Sequence, residues 1–244
     1  MATPKYQRIA AALRNAIRAG TYGPGDRLPG ENDLMAQHEV ARMTARQALG
    51  VLTAEGLAES RKGAGVFVRA HPEPILRRAT ARLARQVWGS GESVWSADFD
   101  GRMMTVDRFS VSEAPAPPDV AGLLSLAPGD PACVRRRRYL VGGVPVMSAV
   151  SYLPAALVAG SPITNEDTGP GGTYARLADL GHAPVHARET VRADTATPDA
   201  RDLGLGAVVV LIRRVAITAT DRVVEVTDMV LDAGAYVLEY EVPM

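Results

Sequence analysis

The sequence predicts an α+β protein in two parts, a small helical N-terminal module with a β-hairpin and a larger domain built on an antiparallel sheet. The apolar residues follow a helical period in the first part and alternate in strand-like runs beyond about residue 90. Charge also divides the chain: residues 1–88 hold 14 Lys and Arg against 7 Asp and Glu, whereas residues 89–244 hold 13 against 20. A basic segment on an acidic remainder suggests nucleic acid as a partner of the first part.

Composition excludes several classes of function. No apolar run approaches the ~20 residues of a membrane span and no signal-peptide pattern is present, so we expect a soluble cytoplasmic protein. The single cysteine, Cys133, rules out an intramolecular disulfide and is expected to be a buried strand residue. No lysine follows Lys62, which excludes Schiff-base chemistry in the larger domain. His182 and His186 are expected to be surface residues rather than metal ligands, because Pro184 breaks the helical spacing between them.

Three helices and a hairpin are predicted near the N-terminus. "PKYQRIAAALRNAIRAG" forms the first helix, and "GENDLMAQHEV" forms a short second one with Gly30 as its cap and Asp33 able to reach back to it. A third helix covers residues 42–55. "LAESRKGAGVFVRA" then alternates around a glycine turn, which predicts a hairpin with a basic tip at Arg61 and Lys62. Together these elements make a winged helix-turn-helix.

The third helix begins with two arginines, Arg42 and Arg46, one turn apart within "VARMTARQAL". The opposite face is an apolar stripe of Ala45, Ala48, Leu49 and Leu52. An isolated arginine pair would most often belong to a solvated helix face. Within a winged helix-turn-helix we instead expect the helix to enter the DNA major groove, where arginine donates two hydrogen bonds to guanine, and where the polyanionic partner relieves the repulsion between the two cations.

Residues 5–69 contain, in this order, the motifs G-x-Y-x-P-G-D-x-L-P, R-x-T-x-R-x-A-L, E-G-L and G-x-G-x-F-V. By these motifs the segment resembles the N-terminal domain of the GntR family of bacterial transcription factors. The resemblance implies that Arg42 and Arg46 read bases, that Thr44 contacts phosphate and that Gly63 forms the wing tip. The complete set of expected DNA contacts is Arg27, Glu31, Arg42, Met43, Thr44, Arg46, Gln47, Lys62 and Gly63. Gly30 and Ala41 stand where serine is usual, which should weaken two helix caps.

Residues 71–92 are predicted to link a DNA-binding domain at 1–70 to a second domain at 93–244. Pro72 and Pro74 mark the boundary, and a basic, helical run follows them. This run could steer DNA or simply solvate a connecting segment, and we favour the second interpretation. Its arginines are Arg77, Arg78, Arg82 and Arg85.

The larger domain is predicted to be an antiparallel sheet with a few helices. Seven segments alternate like strands: "RMMTVDRFSV", "PACVRRRRYLV", "VPVMSAVSYL", "PVHARETVRAD", "VVVLIRRVAIT", "RVVEVTDMVLD" and "AYVLEYEV". Helical stretches are expected at 117–126, 172–180 and 197–204. Tight links at 142–143 and 220–221 indicate antiparallel hairpins.

Four segments of the larger domain carry a family pattern: "LLSLAPGDPACVRRRRYLVGGVPVMSAVSYLP", "GGTYARLADLG", "ARETVRAD" and "DRVVEVTDMVLDAGAYVLEYEV". By these segments the domain resembles the UTRA effector-binding domain of the HutC subfamily, a fold related to chorismate lyase. The resemblance implies a non-enzymatic regulator without a cofactor, most readily a repressor that binds a palindromic operator as a homodimer and is released by a small molecule. The alternatives are a ligand-independent regulator and, less favoured, an enzyme with lyase-like chemistry in the second domain.

Expected effector contacts centre on the run Arg135–Arg138. On a strand its alternate members face opposite sides, so two of the arginines could hold an anion, or all four could pair with acidic residues or lie exposed. The complete set that we expect is Arg135, Arg137, Tyr139, Ser151, Tyr174, Glu189 and Glu225. The resemblance places four of these, Arg137, Tyr174, Glu189 and Glu225, near the pocket in relatives that sense amino-sugar phosphates.

Three departures from those relatives change the expected effector. Tyr139 stands where a second arginine is common, Ala149 replaces a sugar-binding glutamate, and Gly172 replaces a phosphate-binding serine. Each loss removes a charge-assisted or polar contact from the pocket. We therefore expect a less polar metabolite, such as an organic acid or a natural product, rather than an amino-sugar phosphate.

Overall fold

The computed structural model describes residues 3–69, 74–78, 83, 85–91 and 104–241. The chain divides into two compact units, Met1–His71 and Pro72–Met244. In the part of the chain that the structure describes, no helix combines the length and the apolar character needed to cross a membrane.

The first unit has the predicted helices and hairpin. Its elements are α1 (Lys5–Arg18), α2 (Glu31–His38), α3 (Arg42–Ala54), β1 (Ala58–Arg61) and β2 (Gly65–Val68). The apolar stripe predicted for α3 is fully buried against α1 and α2. The Gly30 N–H donates to the Asp33 carboxylate at 2.9 Å, as expected from the sequence. The side chain of Ala41 makes no cap at the start of α3.

The second unit is an α+β domain around a six-stranded sheet, in which all neighbouring strands are antiparallel. Its strand order is β4-β5-β6-β9-β8-β7. The strands are β4 (Met104–Pro115), β5 (Pro131–Val141), β6 (Val144–Pro154), β7 (Pro184–Thr195), β8 (Val208–Thr218) and β9 (Val223–Asp232). The helices are α4 (Arg85–Gly89), α5 (Pro118–Leu123), α6 (Ala155–Val158), α7 (Gly172–Asp179) and α8 (Pro198–Asp202), with a 3-10 turn at Pro162–Thr164.

Two further strands show that the predicted linker at 71–92 is not a linker throughout. β3 (Ile75–Arg78) pairs in parallel with β10 (Tyr236–Glu239), so the helical run predicted here is wrong over these residues. Ile75 is buried in the core of the second unit, and burial against a distant strand outweighs the helical propensity of the basic run. Part of the predicted linker therefore belongs to the second unit. Arg82 lies outside the described residues.

Candidate DNA-binding surface and ligand cavity

The start of α3 presents the predicted contact residues to solvent. Arg42, Met43, Arg46 and Gln47 are exposed and Thr44 is half-buried, because the other face of the helix is held in the core. Met43 is 61% exposed, so its apolar side chain faces solvent in the free protein. An apolar group between two arginines suits a major groove, where thymine offers a methyl group and guanine offers paired acceptors.

Glu31 holds both arginines in the free protein. Its carboxylate accepts from Arg46 Nε at 2.7 Å and lies 3.0 Å from Arg42 Nε, so it bridges the two guanidinium groups. The hydrogen bond from Arg46 holds the pKa of Glu31 below its usual range and raises the pKa of Arg46. The sequence analysis named DNA as the partner that relieves this repulsion, and in the free protein Glu31 on α2 also does so.

The hairpin exposes its predicted tip. Lys62 and Gly63 are exposed in the turn, and Gly63 has a φ of 75°, which a residue with a side chain rarely adopts. Arg61 is engaged within the hairpin, since it stacks on Phe67 at 4.4 Å and pairs with Glu59 at 2.8 Å. Among the described residues no ion pair involves Lys62, which leaves this cation available to a phosphate.

Arg27 reinforces the base of the same hairpin. It is exposed, and its backbone forms a bridge with Phe67. A Cβ added at Gly65 would lie 3.0 Å from Arg27 Nε, so the side chain lies close against the hairpin. Arg27 therefore lies beside the wing rather than on the recognition helix.

A row of polar side chains crosses one face of the six-stranded sheet. In register from β5 to β7 it consists of Arg135, Ser151, Thr227, Arg214 and Glu189. These residues are largely buried, and Ser151 and Thr227 share a hydrogen bond of 2.7 Å. A cross-strand polar row inside a core is costly unless its groups pair with one another or with a ligand.

A cavity of about 190 Å³ lies beside this row and gathers four of the seven expected effector residues. It is lined by Arg137, Tyr139, Tyr174 and Glu225 from the expected set, and by Arg214, which sequence reasoning missed. The remaining wall consists of Met104, Val106, Asp167, Thr168, Gly169, Gly172 and Thr173. The other three expected residues, Arg135, Ser151 and Glu189, do not line it.

Arg135 instead forms hydrogen bonds with the loop before α7. Its guanidinium donates to the carbonyl oxygens of Ile163, of Asn165 at 2.6 Å and of Glu166 at 3.1 Å. Burial lowers the pKa of Arg135 to about 10. Since this loop leads directly into Asp167 at the cavity mouth, Arg135 shapes the site without lining it.

The arginine run divides by face, and its members differ in their surroundings. Arg137 lines the cavity and lies over the Phe109 ring at 5.3 Å. On the other face Arg136 is exposed, and Arg138 pairs with Asp107 and donates to the Leu203 carbonyl at 2.9 Å.

Arg214 is a cavity residue that the sequence analysis did not identify. Its Nε donates to Glu189 at 2.9 Å, and Arg77 donates to the same carboxylate oxygen at 2.6 Å. Burial disfavours the charged form of Arg214, but Tyr174 and Glu189 outweigh this effect and raise its pKa. The signal was "RR" within "VVVLIRRVAIT", because strand alternation places Arg213 and Arg214 on opposite faces. Arg77, expected to be solvated, is fully buried.

Glu225 is the buried carboxyl group of the cavity. It is 5% exposed, and burial raises its pKa although Arg214, Ser151 and Arg137 act in the opposite direction. A protonated Glu225 can donate a hydrogen bond to a ligand, whereas the ionised form can only accept one.

A second, larger cavity of about 680 Å³ lies between α4, α7 and β7. Tyr174 lines both cavities, and the larger one is otherwise mostly apolar and aromatic, with Trp88 and Tyr240 in its wall. The smaller cavity is lined by two of the four expected charged residues, Arg137 and Glu225, and the larger one by Glu189 alone; we therefore take the smaller one as the candidate ligand site.

Known proteins resemble both units in the same order. Residues 5–68 match the family model described as bacterial regulatory proteins, gntR family, and residues 100–236 match that of the UTRA domain. An uncharacterised HTH-type transcriptional regulator of Streptomyces coelicolor is 31% identical over 240 residues, which cover 91% of this chain and 86% of the relative. The histidine utilization repressor of Klebsiella aerogenes is 42% identical over 65 residues, 27% of each chain. A solved structure described as a GntR-family transcriptional regulator has a TM-score of 0.60 and 27% identity, and covers 99% of this chain and 98% of that one.

Proposed function

Because this chain belongs to the GntR family of transcriptional regulators and carries an effector-binding UTRA domain, we propose that it is a repressor that a small organic anion releases from DNA. It binds a palindromic operator as a homodimer, since one recognition helix reads only a half-site. Repression is supported by the similarity to a relative that is named a repressor. The anion acts by favouring a dimer in which the two recognition helices no longer match the half-site spacing.

The observation that carries the effector class is the charge around the cavity. Among the described residues, four guanidinium groups in or next to the site face two buried carboxylates. The guanidinium groups are those of Arg77, Arg135, Arg137 and Arg214, and the carboxylates are those of Glu189 and Glu225. Asp167 adds a carboxylate at the mouth, where solvent screens it. Excess positive charge in a buried site favours an anionic ligand.

Arg214 modifies the expectation of a weakly polar effector. On β5, Tyr139 stands where relatives often have a second arginine. Arg214, on β8, lines the same cavity and supplies a cation in its place. Ala149, in contrast, is buried among apolar neighbours that include Met229 and offers no group to a sugar hydroxyl. We therefore propose an organic acid, and not an amino-sugar phosphate.

Arg137→Ala tests this function. The variant should keep nearly full affinity for operator DNA and lose its release by the anion, with a loss of about 1.5–3 kcal/mol in anion affinity, the scale of a charge-assisted hydrogen bond. The measurement is fluorescence anisotropy of labelled operator titrated with candidate organic acids. Arg136→Ala, on the opposite face of β5, is the matched control and should be released like the wild type.

Two outcomes would contradict parts of this proposal. Release of Arg137→Ala at wild-type concentrations of an acid would show that the cavity does not sense it. Release of the wild type by micromolar glucosamine-6-phosphate would overturn the effector class, while the regulator assignment would stand.

A further inference from the structure

Arg77, Glu189 and Arg214 form a buried cluster that connects the ligand cavity to strand β3. Glu189 Oε1 accepts from Arg77 Nη2 at 2.6 Å and from Arg214 Nε at 2.9 Å. The three side chains are 1%, 7% and 1% exposed, and Met229 Sδ lies 3.8 Å and 3.9 Å from the two guanidinium groups. Only Arg214 lines the cavity. Arg77 lies on β3, the first described strand after the DNA-binding unit.

The cluster carries more positive than negative charge. Within the cluster two guanidinium groups share one carboxylate, so the formal charges of these three side chains sum to one positive charge, and Glu225 also interacts with Arg214. The cluster is buried, and solvent therefore screens this charge weakly. Arg214 is the member that presents it to the cavity. The strength with which Arg214 attracts an anion then depends on how strongly Glu189 pairs with Arg77 rather than with Arg214.

We propose that Arg77 is a positioning residue for the cavity, which sets the positive charge that Arg214 offers to an anion. The inference rests on the anionic effector proposed above. An anion that attracts Arg214 weakens its hold on Glu189, and Glu189 then pairs more strongly with Arg77. Coupling between sites is reciprocal, so a bound anion stabilises β3 against β10 to the same extent that Arg77 favours the anion.

The key variant is Arg77→Met, which removes the charge and keeps an unbranched side chain beside Met229. It leaves Glu189 and Arg214 as a neutral buried pair, whereas a change of Glu189 would leave two buried cations together. Arg78→Met is the matched control: Arg78 is the next residue on β3, its side chain is 50% exposed, and it pairs with Glu239 at 3.1 Å. Arg77→Lys, which keeps a charge, is the rescue variant.

The probes are sulfate and methanesulfonate, two tetrahedral anions that differ by one charge. Calorimetry on the full chain measures the affinity for each anion, and the component abolished by Arg137→Met defines binding in the cavity. The wild type and Arg78→Met should prefer sulfate. Arg77→Met should reduce that preference about tenfold, the scale of one unit charge roughly 12 Å from the anion at an effective dielectric constant of about 20. Arg77→Lys should retain most of it.

Hydrogen exchange gives a second readout that a purely structural role would not change. Sulfate should slow exchange of the β3 and β10 amides in the wild type and in Arg78→Met, but not in Arg77→Met. If Arg77→Met does not fold, Arg77→Gln provides the same comparison.

Two results would overturn the inference in distinguishable ways. A folded, neutral Arg77 variant with wild-type anion preference and sulfate protection overturns the role of Arg77 alone, and leaves the anion cavity standing. A wild type that binds neither anion through Arg137 overturns the anionic effector together with this inference, and leaves DNA binding untouched.

Discussion

Arg42 and Arg46 lie at the start of α3, where both pair with Glu31 in the free protein. Their alanine variants should each cost about 1–3 kcal/mol on specific DNA and relax the preference at one operator position, because each bidentate contact to guanine is lost. Random DNA should show a smaller loss. Anisotropy titrations on the operator and on random duplexes at a fixed salt concentration measure both.

Lys62→Ala gives the contrasting pattern. As a phosphate contact at the wing tip, it should weaken binding on every sequence and reduce the salt slope by about one per contact in each subunit. Arg188→Ala, an exposed change on β7 of the second unit, is the control and should leave both affinities unchanged.

The outcome that would contradict base reading concerns the two arginine variants. If Arg42→Ala and Arg46→Ala lost the same affinity on operator and on random DNA, these residues would be phosphate contacts instead of base readers.

Glu225 predicts a dependence of stability on pH. Burial raises its pKa above the ordinary value of 4.5, so the folded state holds the proton more tightly than the unfolded state does. Stability is therefore lost as the pH rises from about 4.5 toward the raised value, by about 1.4 kcal/mol for each tenfold gain in proton affinity. Glu225→Gln cannot ionise, so its unfolding temperature should rise relative to the wild type over that pH range.

The control for this measurement is Ser112→Ala, an exposed position on β4 whose side chain does not ionise in this pH range. Calorimetric scans without ligand should give a constant difference between this variant and the wild type across the same pH range. A constant or falling difference for Glu225→Gln would show that ionisation of Glu225 does not oppose folding.

Side chains at the cavity were only partly predictable from sequence. Strand alternation predicted that Arg135 and Arg137 share one face, and the structure confirms this. The separate uses of these two arginines depend on the loop at 163–166, which no local pattern connects to Arg135, whereas the Phe109 ring lies near both guanidinium groups. Arg214 was missed because its place beside Glu189 depends on the register of β7 with β8.

At the scale of elements, Gly171 fixes the start of α7 against the end of α4. Its φ is 77°, its N–H donates to the Gly91 carbonyl at 2.8 Å, and an added Cβ would collide with the Trp88 carbonyl oxygen and lie 2.6 Å from Ala175 Cβ. Gly171→Ala should therefore cost about 1–3 kcal/mol in backbone strain and about as much again in overlap. It should also weaken anion binding, since α7 carries Tyr174.

Gly160→Ala separates strain from overlap. Gly160 has a φ of 71°, and nothing lies within 4 Å of an added Cβ, so only the strain remains. Denaturant unfolding of both variants gives the difference. Equal losses of stability at the two positions would show that the contact between α4 and α7 does not constrain the helix.

The elements themselves were predictable where the pattern was long. The predicted bounds of β5 and β8 coincide with the structure, because the turn residues at 142–143 and 220–221 follow directly or closely on these two runs of 11 residues. β3 was missed because it has four residues and its partner, β10, lies near the other end of the chain. A short basic run carries no local signal for such a pairing, and tertiary contact decides its structure.

For the whole molecule, the division of charge along the sequence correctly indicated two units. It did not locate the boundary between them, because the basic segment extends to residue 88 and the first unit ends at His71. The basic part folds as the DNA-binding unit, but β3 belongs to the second unit although it lies in the basic segment. Arg77 explains this, because it is buried in an ion pair and is not part of the exposed basic surface. The net charge of a segment indicates what it can bind, but it does not determine the fold, so the boundary of a unit has to be taken from burial.

Selection of DNA from a random duplex library by the purified full chain tests the central claim most directly. The account predicts enrichment of a two-fold symmetric sequence by the wild type, and loss of that enrichment in the double variant Arg42→Ala/Arg46→Ala, with both proteins folded. An organic acid that fills the cavity should elute the enriched DNA from the wild type. Failure of the wild type to enrich any sequence over random DNA would contradict the claim that this protein reads an operator.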